Sequence, residues 1–114
     1  MRIREIVRLL SAEVVCGEAE LDTEVYSACS SDMMSDVLAH NDNQAVLLTG
    51  LVNPQVVRTS MMMDVHCLIF TRSKKPTPEM VKLAEENGMV VLCTAKRMYV
   101  ASGVLYAAGL GREE

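Results

Sequence analysis

The 114 residues carry a net charge of −4, are 50% apolar and only 23% charged, and contain no tryptophan and a single phenylalanine. That length suits one domain with one core, and the composition excludes a disordered chain. The acidic balance gives no general attraction to nucleic-acid phosphates, and no aromatic platform for single strands is present, so no nucleic-acid partner is expected.

The longest apolar runs, Ala45 to Leu48 and Met89 to Cys93, are far short of a membrane span. The N-terminus reads as an amphipathic helix bearing Arg2, Arg4, Glu5 and Arg8 rather than a signal peptide, which places the chain in the cytoplasm, off the membrane. Cys16, Cys29, Cys67 and Cys93 lie in or at the ends of apolar runs with no Cys-x-x-Cys spacing, and read as buried thiols. His40 and His66 have no adjacent partner, so neither a metal nor a cofactor is expected.

In chain order, Ile3, Ile6, Val7 and Leu10 follow helical spacing. Glu13 to Cys16 is a short strand, and after a turn at Gly17 and Asp22 a longer strand is predicted from Thr23 to Cys29. The stretch from Ser30 to His40 then begins with hydroxyls and carboxylates. Asp32, Ser35 and Asp36 stand at i, i+3 and i+4 and are expected on one face of a short helix, with Ser31 or Asp32 capping it. Asn41 to Asn43 is turn chemistry.

From there strand and helix alternate. Gln44 to Leu48 is a buried strand closed by Thr49 and Gly50. Asn53 and Pro54 start a helix with Val56, Val57, Ser60 and Met61 facing inward, ending at Asp64. Val65 to Phe70 is the next strand. Thr77 and Pro78 repeat the cap-plus-proline signal for a helix to Asn87, stopped by Gly88. Met89 to Cys93 is the last strand. Thr94 is expected to cap a final helix that buries Val100, Ala101, Val104, Leu105 and Ala108. The fold predicted is a small α/β domain spanning residues 1–114, a mainly parallel sheet with helices packed on it.

Parallel strands end on one side, and right-handed crossovers keep them so. Ser31 and Asp32, Thr49, Arg72 with Lys74 and Lys75, and Thr94 with Lys96 and Arg97 should therefore share one rim. Open α/β sheets bind ligands there. Ser31, Asp32, Thr49, Arg72, Lys74 and Thr94 are the candidate ligand-binding residues, for a phosphate or another small anion. No phosphate-binding loop, dinucleotide fingerprint or nucleophile elbow is present. Asp32 and Asp36 form a carboxylate pair too unspecific to define a hydrolase or transferase, so no catalytic residues are assigned.

The opening from Met1 to Gly17, the stretch from Ser31 to Ala39, and the strand from Cys67 to Thr71 followed by Pro76 resemble the DRTGG domain. They are similar also to the N-terminal domain of HPr kinase/phosphorylase and, more remotely, of Mur ligases. The resemblance implies a small, non-catalytic α/β domain, often homodimeric, standing alone or attached to CBS and phosphotransacetylase modules. Where the family usually has a Thr-Gly-Gly turn, this chain has Thr71, Arg72 and Ser73, so a side-chain charge replaces close backbone approach.

Two functions remain in view. One is a regulatory module that senses an anionic metabolite or nucleotide at the rim. The other is a dimerisation or docking module for a partner enzyme, without a small-molecule ligand. The run Met61 to Met63 favours the second, because three successive helical positions cannot all face the core.

Overall fold

Apolar strands that alternate with capped helices can bury both faces only as the middle of three layers, and the chain does this. The structure, a computed structural model, describes residues 1–39 and 45–111. Its elements are α1 (Ile3–Leu10), β1 (Glu13–Cys16), a 3-10 turn (Glu18–Glu20), β2 (Ser27–Ser30), α2 (Met34–Ala39), β3 (Ala45–Thr49), α3 (Pro54–Met62), β4 (Cys67–Phe70), α4 (Pro78–Glu86), β5 (Val90–Cys93) and α5 (Met98–Ala107). The expected turn from Asn41 to Asn43, with His40 and Gln44, lies outside the described residues.

The strand order is β1-β5-β4-β3-β2. β2, β3, β4 and β5 run parallel, and β1 joins β5 antiparallel. Side chains alternate across the central strands as pleating requires. Leu47, Leu68, Phe70, Val91 and Cys93 pack with Val37 of α2, Val56 and Val57 of α3, and Met80 and Ala84 of α4. Val46, Leu48, Cys67, Ile69, Val90 and Leu92 pack with Ile3, Ile6 and Leu10 of α1 and with Ala101 and Leu105 of α5. Among the described residues, no helix is long and apolar enough to cross a membrane.

The cap signals act as the sequence indicates. The Asn53 side chain accepts from Gln55 N at 2.7 Å with Pro54 in the first turn, and Thr77 accepts from Met80 N at 3.3 Å before α4. Each supplies a partner for an N–H that the helix cannot satisfy itself. Gly17 is fixed by close approach: its φ is +91°, and a Cβ there would meet Val90 Cα at 2.7 Å.

Several expectations fail for identifiable reasons. The strand expected from Thr23 to Cys29 is reduced to Ser27–Ser30. Its first part instead serves α1, whose N-cap Arg2 makes no side-chain cap. Ile3 N donates to Thr23 O at 3.1 Å and Arg4 N to Leu21 O at 2.8 Å, so carbonyls distant in sequence satisfy the orphan amides. Thr94 does not cap α5, which starts at Met98 behind Arg97. Its hydroxyl, in a residue only 2% exposed, donates to Leu10 O at 2.8 Å and closes the end of α1.

In α3 Thr59, not Met61, is buried alongside Val56, Val57 and Ser60, whereas Met61 and Met62 are exposed. In α5, Val100 and Ala108 lie outward and Val104 is half-buried. Asp32 precedes α2 and does not share a helical face with Ser35 and Asp36.

Cys16, Cys67 and Cys93 are buried and Cys29 is half-buried, not enclosed as the sequence suggested. Burial pushes the Cys67 thiol well above its ordinary value, and raises Cys16 and Cys93 as well. The folded protein therefore keeps thiol protons that the unfolded chain releases above about pH 8.5. Stability is unaffected by these groups below that pH and falls as pH rises beyond it. Alkylation of native protein should modify Cys29 first and Cys67 only at the rate of unfolding; equal rates at the four thiols would contradict the burial.

Candidate functional site at the strand-end rim

The C-terminal ends of β2 to β5 meet on one side, and their turns are tied into a common surface by backbone bonds. Ser31 N donates to Leu48 O at 3.1 Å, Thr71 N to Thr49 O at 3.0 Å, and Thr94 N to Phe70 O at 2.9 Å. Buried threonines follow or close three neighbouring strands: Thr49, Thr71 and Thr94 are 0%, 1% and 2% exposed. A buried hydroxyl needs a partner, and two of the three have one. Thr49 Oγ1 donates to Asp32 Oδ1 at 3.0 Å, and Thr94 Oγ1 to Leu10 O. Thr71 Oγ1 has none.

Asp32 is the clasp between two turns. Its Oδ1 also accepts from Gly50 N at 2.7 Å, which joins the β2–α2 turn to the β3–α3 turn. Gly50 sits where the turns that follow β2, β3 and β4 meet. The position that a Cβ on Gly50 would take lies 3.2 Å from Arg72 Nη2, 3.6 Å from Asp32 Oδ1 and 3.6 Å from Thr71 Oγ1. A guanidinium, a carboxylate and an unpaired hydroxyl thus converge on one bare α-carbon. Among the described residues the Arg72 guanidinium has no ion-pair or hydrogen-bond partner.

Of the candidate residues, Asp32, Thr49 and Arg72 come together around Gly50. The others do not join them by side-chain contact. Ser31 Oγ serves its own turn, accepting from Met33 N at 3.0 Å and lying 3.3 Å from Asp36 Oδ2. Thr94 points inward to α1. Lys74 is exposed on the same turn as Arg72, where its N donates to Thr71 O at 3.1 Å. Lys75, expected on the rim, is held by Glu13 of β1, and that contact raises its pKa.

Among the described residues no cluster of His, Cys, Asp or Glu could hold a metal ion. His66 Nε2 lies 3.3 Å from Asp64 Oδ1 and meets no thiol there, while His40 is outside the described residues.

Two features escaped the sequence. Thr71 was visible only as one polar residue after an apolar strand; its lack of a partner is a fact of three dimensions. The second feature is an apolar groove of about 560 Å³ between α5 and the edge formed by β2 and β3. Ala28, Leu48, Tyr99, Val100, Leu105 and Tyr106 contribute to its walls. The available signal was α5 itself, apolar on nearly every side.

With that geometry in place, the comparisons with known proteins bear on the chain as a whole. The profile of the DRTGG domain matches residues 5–108. The chain belongs to the DRTGG domain family. A similar solved structure comprises the CBS and DRTGG domains of the regulatory region of a Clostridium perfringens pyrophosphatase, complexed with its activator, diadenosine tetraphosphate. The two superpose with a TM-score of 0.73 at 21% identity, over 91% of this chain and 45% of that one. This DRTGG chain therefore spans under half of that region, and the likeness establishes the fold. A comparison with curated proteins gave no match.

The turn after β4 carries Arg72 and Ser73, and both residues are left-handed. Their φ values are 55° and 56°, a region that costs a residue with a Cβ about 1–2 kcal/mol. The turn is held by Arg72 N donating to Lys96 O and Ser73 N to Thr94 O, each at 2.9 Å. Arg72→Gly should therefore leave stability unchanged or raise it by up to about 1 kcal/mol, because glycine adopts this conformation without strain. Arg72→Val should lower it by more than about 1 kcal/mol. Denaturant melts of the two variants check this, and a Gly variant less stable than the Val variant would contradict it.

Proposed function

We propose that this DRTGG domain is a non-catalytic regulatory module that senses an anionic metabolite or nucleotide at the rim where β2 to β5 end. The observation that carries this reading is the unpaired Arg72 guanidinium held over Gly50, beside Asp32 and the unpartnered Thr71 hydroxyl. A planar guanidinium donates in pairs to phosphoryl oxygens, and a strand-end crevice is where open α/β sheets hold ligands. Asp32 and Asp36 are occupied by structural bonds, to Thr49 and Gly50 and near Ser31 respectively, which favours clasping over acid–base work. A similar structure being a regulatory region complexed with an anionic nucleotide activator supports the same role. In this reading all 114 residues act as a single cytoplasmic domain that controls a partner enzyme.

Thermal unfolding with a panel of nucleotides, nucleotide sugars and sugar phosphates tests it. A ligand at a hundred times its Kd should stabilise the protein by about 2.7 kcal/mol. Arg72→Gly should abolish that gain without lowering the unliganded melting temperature. If no phosphorylated compound shifts the wild type, the rim is only a charged surface.

A second reading, a homodimer through α5, is favoured by a separate observation. Tyr99 is 89% and Tyr106 62% exposed beside the apolar groove, on a helix whose other face is core. Two copies that cover this face would remove it from water. Sedimentation at micromolar concentration should then give twice the chain mass, and Tyr99→Glu should return it to one. A wild-type monomer at high concentration removes this reading.

A further inference from the structure

Bare phosphate fits the crevice above Gly50 poorly. A dianion drawn to Arg72 would lie close to the Asp32 carboxylate, since Arg72 Nη2 and Asp32 Oδ1 are both within 4 Å of one point. Like charges at such range repel. Asp32 cannot turn away without loss, because its Oδ1 accepts both the Thr49 hydroxyl and the Gly50 amide. Its other oxygen, Oδ2, has no partner among the described residues and is an acceptor without a donor.

The third group is Thr71 Oγ1, in a residue 1% exposed, which lies 3.6 Å from where a Cβ on Gly50 would sit and has no partner. A buried hydroxyl left unpaired forfeits the hydrogen bonds it made to water, so its retention at this spot calls for an acceptor. The crevice therefore offers a cationic donor, a neutral donor and an anionic acceptor side by side. The ligand that answers all three carries negative oxygens and, next to them, an O–H that donates.

Building on the anion-sensing reading above, we propose that the crevice over Gly50 binds a phosphomonoester of a polyol, the chemistry shared by sugar phosphates and nucleoside monophosphates. A sugar hydroxyl donates to Asp32 Oδ2, and phosphoryl oxygens accept from Arg72 and from the Thr71 hydroxyl. Arg72 is exposed, so its side chain turns from Gly50 onto the phosphoryl group and leaves Thr71 facing the ligand. Gly50 is required because a side chain there would fill the space in which the three groups meet.

Isothermal titration of the full chain with four probes tests this: inorganic phosphate, ribose 5-phosphate, AMP and 2′,3′-dideoxy-AMP. The wild type should bind ribose 5-phosphate or AMP about tenfold tighter than inorganic phosphate. Equal binding of ribose 5-phosphate and AMP marks a sugar phosphate as sufficient, while binding of AMP alone marks a nucleotide; dideoxy-AMP should be weak in both cases. Asp32→Asn keeps an oxygen for Gly50 N and Thr49, and should weaken the hydroxyl-bearing esters while tightening inorganic phosphate. Thr71→Val should weaken every phosphorylated probe yet leave the unliganded melting temperature the same or higher, since it removes an unpaired buried hydroxyl.

Inorganic phosphate binding as tightly as the esters, with Asp32→Asn weakening none of them, overturns the hydroxyl assignment and leaves the anion site standing. Binding of none of the four probes overturns the anion site, and the ligand class with it.

Discussion

The shared direction of β2, β3, β4 and β5 is the constraint on which the site depends. Because these strands are parallel, β2, β3 and β4 must each be followed by a crossover, and each crossover begins with a turn at the same edge. The sheet thus sets Asp32, Gly50 and Thr71 with Arg72 beside one another although they are far apart in sequence. Two-sided burial makes the register hard to change: Val46 and Leu47, Cys67 and Leu68, and Val90 and Val91 face opposite layers, so a slip of one residue would exchange the two cores.

Polar groups buried at that edge then divide by what they hold. Thr49 and Thr94 are structural: one steadies Asp32, and the other closes the end of α1 on the opposite side of the fold. Thr71 has the same burial and no such duty. Next to it Arg72 and Ser73 occupy left-handed backbone that glycine would accept at lower cost. Strain of this kind persists where surrounding bonds over-determine the chain, here the two amides donated to the β5–α5 turn. Ser27 Oγ is also buried without a partner and Ser11 and Asp64 are also left-handed, but Thr71 and Arg72 set an unpaired hydroxyl and a strained, unpaired arginine at adjacent positions.

How much was legible follows from the range of each interaction. β3, α3, β4, α4 and β5 could be read because their signals are local: apolar runs, Asn53 with Pro54, and Thr77 with Pro78. Membership of the DRTGG family was legible in short motifs and holds over residues 5–108. The meeting of Asp32, Thr49 and Arg72 followed from parallel topology alone. What failed was set by contacts distant in sequence. Thr23 reads as the start of a strand, yet its carbonyl, with that of Leu21, caps the first amides of α1. Thr94 reads as a cap, yet its hydroxyl is used by Leu10. Lys75 reads as a rim cation, yet Glu13 across the sheet edge holds it.

Backbone amide shifts recorded by NMR during an AMP titration locate the binding surface directly. If the strand-end crevice is the functional site, the largest changes fall at Asp32, Gly50, Thr71, Arg72 and Ser73, and they disappear in Arg72→Gly. Changes centred instead on Ser30, Tyr99, Gly103 and Tyr106 would place the ligand in the α5 groove and contradict the account.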